Sequence, residues 1–83
     1  MRNNEPENTT YQTSDLGCCA ALVASGFELA LLDRTAQRVV FCFTATPALE
    51  QCTTGYWSKD LLVSAQGYYE ALKQVKARLY GGY

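Results

Sequence analysis

The chain has 83 residues, 48% of them hydrophobic and 18% charged, with a formal net charge of −1. That length suits one domain with one modest core, and the composition excludes an intrinsically disordered chain. No apolar run approaches the roughly 20 residues that span a bilayer, and the charge argues against general affinity for nucleic acid.

The opening stretch, "MRNNEPENTTYQTSD", has no apolar segment of the secretory type, so a cytoplasmic protein is expected, with no membrane partner. Its polarity and Pro6 predict a disordered tail over residues 1–10, before a single domain over 11–80 and a short tail over 81–83. Ser14 or Thr13 suits a helix N-cap, with Asp15 in the first turn where the macrodipole favours an acid. In "DLGCCAALVAS", Leu16, Cys19, Ala20 and Val23 recur at helical spacing as one apolar stripe, and Gly26 ends the helix.

"FELALL" and "RVVFCFT" flank the polar "DRTAQ" and predict an antiparallel hairpin. Phe27, Leu29 and Leu31 are expected on one face of the first strand, and Val39, Phe41 and Phe43 on one face of the second. The other face would carry Ala30, Leu32, Val40 and Cys42, apolar enough to need a third helix or another chain over it. Together with the hairpin's open edges, that face makes a homodimer the expected assembly.

Thr46 and Pro47 open a second helix as N-cap and N1, with Leu49, Cys52 and Tyr56 as its stripe until Gly55 and the polar residues beyond weaken it. "DLLV" suggests a brief extended segment. Ser64 then caps a last helix that runs to about Tyr80 before "GGY".

In that last helix Ala65, Tyr68, Leu72, Val75 and Leu79 form the expected buried stripe. Beside it Tyr69, Lys73, Lys76 and Tyr80 recur at spacings of 4, 3 and 4, two aromatics alternating with two cations. Such a strip could stack bases and neutralise phosphates, or meet another protein. Plain packing would equally place tyrosines at the core boundary and lysine stems over apolar neighbours. Charge supports attention to this end of the chain. Residues 59–83 sum to 4 − 2 = +2, with Arg78 among the cations, whereas residues 1–58 sum to 3 − 6 = −3. In "GYWSK", Trp57 beside Tyr56 either anchors an interface or plugs the end of a small core.

Catalytic signals are absent. The chain has no histidine, its carboxylates are scattered, and it contains neither GxxxxGK[ST] nor GxGxxG. Cys18, Cys19, Cys42 and Cys52 lack the paired spacing of a zinc site and suit reduced, buried thiols. No enzyme, metal or cofactor is expected.

The order "YQTSDL…AAL…GFEL…RVVFCF…TPALE…YW…LLV…YYEALKQVKARLY" resembles a family of small uncharacterised domains of bacteria and phages, of unknown function. The positions that carry the resemblance are Tyr11, Thr13, Asp15, Leu16, Ala20, Ala21, Gly26, Phe27, Arg38, Val39, Phe41, Phe43, Tyr56, Trp57 and Leu72. Most are packing residues, so the resemblance implies a shared fold more than an activity. "LLDRTAQR" departs from the family's basic or glycine-rich turn, and the family's place in phages and mobile elements implies an accessory role.

The expected fold is therefore α+β: an antiparallel hairpin, with or without Tyr11–Thr13 as a third short strand, packed by three helices. The expected function is a non-enzymatic protein-interaction module, an accessory, adaptor or inhibitor subunit with another protein as partner. The alternative is nucleic-acid binding through the last helix. The candidate residues are Trp57, Tyr69, Lys73, Lys76, Arg78 and Tyr80.

Overall fold

The computed structural model describes residues 9–35 and 37–81. Most of the expected tails therefore lie outside the described residues. Six elements follow in order: β1 (Thr10–Thr13), α1 (Leu16–Ala24), β2 (Leu31–Asp33), β3 (Val40–Thr44), α2 (Pro47–Ser58) and α3 (Ala65–Gly81). The fold is α+β, with three helices packed on a three-stranded antiparallel sheet of order β1-β3-β2. The hairpin of β2 and β3 is thus extended on its far side by the N-terminal strand.

Register decides which strand residues meet the helices. Tyr11 pairs with Phe43, and Thr13 and Leu32 both pair with Phe41. Phe41 and Phe43 are buried, and Tyr11, Leu32 and Val39 pack against them, so this row is the inner face. The first strand turns a different face inward from the one expected. Leu29 is buried, but Leu31 is exposed and Leu32 turns inward. Regular β2 begins only at Leu31, so residues 27–30 do not carry the strand alternation into it. The outer face consequently presents Gln12, Cys42 and Leu31 in one row. Turning Leu32 inward makes that face less apolar than expected, and the Gln12 amide, 3.9 Å from the Cys42 sulfur, helps to shield the thiol.

Helix α1 is capped by Asp15 itself rather than by Ser14 or Thr13. Its backbone is extended, and its carboxylate accepts the Cys18 N–H at 2.7 Å. Thr13 instead accepts the N–H of Asp15 at 3.1 Å. The helix ends in a Schellman arrangement. Phe27 N–H bonds to Leu22 C=O, Gly26 N–H bonds to Val23 C=O, and Gly26 takes φ 102°, which few residues other than glycine adopt readily. Between these caps Cys18, Cys19, Ala20, Ala21 and Leu22 are all buried. The expected stripe of Leu16, Cys19, Ala20 and Val23 is too narrow, because α1 sits among the sheet's Phe41 and Phe43, Leu49 and Cys52 of α2, and Val75 of α3. A helix surrounded in this way is apolar on every side.

Helix α2 begins as expected, with the Thr46 hydroxyl accepting the Leu49 N–H at 3.1 Å and Pro47 in the first turn. It runs through Gly55 to Ser58 and closes at Lys59 in the left-handed region, φ 69°. The chain then folds back so that Leu61 rests against Gly55, with no strand at "DLLV". In α3, Ser64 accepts the Gly67 N–H at 2.9 Å at the start. Ala71 and Val75 are the buried positions, with Tyr68, Leu72 and Leu79 half-buried and Ala65 exposed. The Arg34 guanidinium donates to the Arg78 and Leu79 carbonyls at 2.9 and 2.8 Å. These are among the carbonyls a helix end leaves unpaired, and a cation there also suits the helix dipole.

Candidate functional site

At about 100° per residue, Tyr69, Lys73, Lys76 and Tyr80 fall within about 60° of one another on α3. The buried stripe lies to one side, which leaves all four exposed, Tyr69 by 59% and Tyr80 by 75%. The Lys73 ammonium lies 5.3 Å from the Tyr69 ring centroid, a cation–π contact worth about 0.5–1 kcal/mol at an exposed site. Lys76 has no hydrogen-bond or ion-pair partner among the described residues. The one carboxylate of α3, Glu70, is turned instead to the Gln66 amide at 3.5 Å.

Arg78 does not join this strip. Nine residues beyond Tyr69, it projects about 180° away around the helix. Its guanidinium donates to the Leu29 carbonyl at 3.1 Å, tying α3 to the segment before β2. The structure therefore brings together four of the sequence-predicted residues and sets Arg78 apart.

Trp57 lies in the last turn of α2, 57% exposed, its ring edge-on to Tyr56 with centroids 4.9 Å apart. A few residues on, Leu62 is 91% exposed. Sequence reading missed Leu62, although the signal was present: in "DLLV" two adjacent leucines without helical or strand order cannot both turn to the core, and Leu61 is the one that packs.

A polar cluster joins this end of the molecule to the start of α1. The Tyr56 hydroxyl donates to Asp15 at 3.1 Å, on the same carboxylate oxygen that caps the helix. The Tyr11 hydroxyl lies 3.8 Å from the Cys18 sulfur. Gly17 leaves the room required: a Cβ there would stand 2.5 Å from the Tyr56 hydroxyl and 3.4 Å from that of Tyr68. Burial first, then the hydrogen bond to Asp15 and its charge, push the Tyr56 phenol up to about 12. The cluster is a joint between elements, with the Tyr11 and Tyr56 phenols held protonated.

The four cysteines are free and buried. Burial raises the Cys18 thiol and pushes Cys19 up to about 12, away from the thiolate that a nucleophile needs. A cleft of about 530 Å³ opens between the α1–β2 connection and the start of α2, lined in part by Phe27, Glu28, Thr46 and Leu49. Glu28 is its one carboxylate, without a second acid or base beside it in the lining. Among the described residues no group of three or more His, Cys, Asp or Glu side chains could hold a metal ion, and no helix is long and apolar enough to cross a membrane.

A family model described as a domain of unknown function, DUF5659, matches residues 8–81. The chain belongs to this family. The match covers every element from β1 to α3, so the resemblance carried by "YQTSDL", "GFEL", "RVVFCF" and "YW" is that of a family member over its whole fold. No curated protein and no solved structure matches the chain.

Proposed function

We propose that the chain is a non-enzymatic protein-interaction module, a small accessory, adaptor or inhibitor subunit acting in the cytoplasm. The observation that carries this reading is the exposure of Trp57, Leu62, Tyr69 and Tyr80 on a domain whose core is otherwise filled by smaller side chains and two phenylalanines. Large apolar groups left in water, aromatic ones above all, are the usual anchors of protein interfaces. The lone carboxylate in the cleft and the buried Cys18 and Cys19 thiols, whose burial holds them protonated, support a role without catalysis.

The experiment is a tagged pull-down from the native host, run with and without nuclease, on the wild type and the Trp57→Ala and Tyr69→Ala variants. Partners that survive nuclease and are lost from either variant, while circular dichroism and melting stay unchanged, are the expected result. Variants that unfold would assign both rings to the core and remove the interface. The homodimer expected from the sheet's outer face has one large exposed apolar side chain there, Leu31, in its support. Sedimentation at two concentrations tests it.

Nucleic-acid binding is the second reading, favoured by the continuous exposure of two tyrosines and two lysines along α3. It requires binding that weakens steeply with salt and disappears in a Lys73→Glu, Lys76→Glu double variant. Partners lost on nuclease treatment, with nucleic acid in the untreated eluate, would select it over protein contact.

A further inference from the structure

We infer that the Tyr69–Lys73–Lys76–Tyr80 strip is a docking seam for an acidic amphipathic helix of another protein, an inference that rests on the protein-interaction reading. Spacings of 4, 3 and 4 are the alternating steps of a heptad seam, which keeps one side of a helix facing a second helix. The seam runs about 16 Å along the axis, close to three turns, so a partner helix lying along it meets every member. A partner strand or loop would not be matched by that repeat.

Charge selects the partner's chemistry. The two central positions are cations, and the strip contains no carboxylate to neutralise them. Lys73 rests on the Tyr69 ring and Lys76 is unpaired among the described residues, whereas Arg34 and Arg78 are both engaged by backbone carbonyls. A partner helix with two carboxylates three residues apart, flanked four residues away on each side by apolar groups, would pair the lysines and pack on the tyrosine rings. A second copy of this strip does not fit. The order Tyr, Lys, Lys, Tyr reads alike in both directions, so parallel and antiparallel self-pairing each set lysine against lysine. Single-stranded nucleic acid fits less well, since two cations without Arg78 neutralise few phosphates and Lys73 occupies a face of the Tyr69 ring.

The test uses the full chain and synthetic alanine-based helical peptides carrying Leu, Glu, Glu and Leu at the same 4-3-4 spacing. Control peptides replace the central pair with Gln-Gln or Lys-Lys, and an oligo(dT) strand serves as a separate probe. Expected are binding of the Glu-Glu peptide with shifts in the α3 amide resonances, and about tenfold weaker binding to the Lys73→Glu, Lys76→Glu variant. That variant should in turn prefer the Lys-Lys peptide. No binding at low salt, equal binding of all three peptides, or binding of oligo(dT) alone would each overturn the inference. Failure here is separable from failure of the broader reading. If Trp57→Ala loses a nuclease-resistant host partner that the double-charge variant keeps, the protein-interaction reading stands and the acidic helix falls. If neither variant changes what is captured, both fall.

Discussion

Helix α1 buries five consecutive side chains, Cys18 to Leu22, in 9 residues, whereas α3 buries only Ala71 and Val75 in 17. The shorter helix is the hub of the core, touched by the sheet and both other helices. The longer one lends a single stripe to that core and leaves the rest to solvent. Tolerance to substitution should divide the same way, and with it the surface available to a partner. Being packed on every side makes α1 costly to change and useless for recognition. Being packed on one side leaves α3 able to change its outer residues without endangering the fold.

The largest effect expected from this contrast is at Leu22, which has no exposed surface. Leu22→Ala should cost about 2–5 kcal/mol in urea unfolding, enough to threaten a small domain. A loss below 1 kcal/mol would mean that the centre of α1 is loosely packed and that the contrast fails.

Alkaline pH should attack the same hub. Burial raises the Cys18, Cys19, Tyr11 and Tyr56 groups above their ordinary values, with Cys19 moving from 9.0 to about 12 and Tyr56 from 10.0 to about 12. Each holds its proton more tightly folded than unfolded. Their contribution is therefore complete below about pH 9 and is lost progressively as pH rises through about 12. A melting temperature that stays flat from pH 8 to 11 would contradict this.

Gly17→Ala sharpens the comparison at the joint between helices. Alanine favours helix over glycine by up to about 1 kcal/mol, yet its Cβ would displace the Tyr56 hydroxyl from Asp15. A net loss of about 1 kcal/mol is expected, and a smaller loss when the same change is made in a Tyr56→Phe background. Equal losses in both backgrounds would show that the hydroxyl is not the obstacle. The smallest effects belong to α3: Lys76→Ala and Tyr80→Ala should each change stability by less than about 0.5 kcal/mol. A larger loss at either would place the strip in the core.

Legibility followed the same division. Where an element has one wet and one dry side, spacing reveals which is which, and the exposed Tyr–Lys strip was readable for that reason. The caps at Thr46, Ser64 and Gly26 were readable too, because each depends on residues only a few positions apart. In α1 the apolar residues crowd every side, so no phase could be taken from "GCCAALV", and the stripe came out too narrow. Leu31 and Leu32 could not be told apart by alternation, because the strand starts later than the apolar run. The joint of Tyr11, Asp15, Tyr56 and Tyr68 was beyond local reasoning. Its hydrogen bond from Tyr56 to Asp15 alone links residues 41 positions apart in the chain, and only the packed fold brings them together.

The burial of all four thiols gives this domain a clock for its own opening. A maleimide or disulfide reagent added to the native chain meets no exposed sulfur, so modification must wait for a fluctuation that uncovers one. Cys18 and Cys19 at the hub should answer only to global unfolding, whereas Cys42, on the sheet's outer face behind Gln12, should answer to smaller openings. Labelling followed by mass spectrometry, in a test tube or inside a cell, would then read local and global breathing from one unmodified chain.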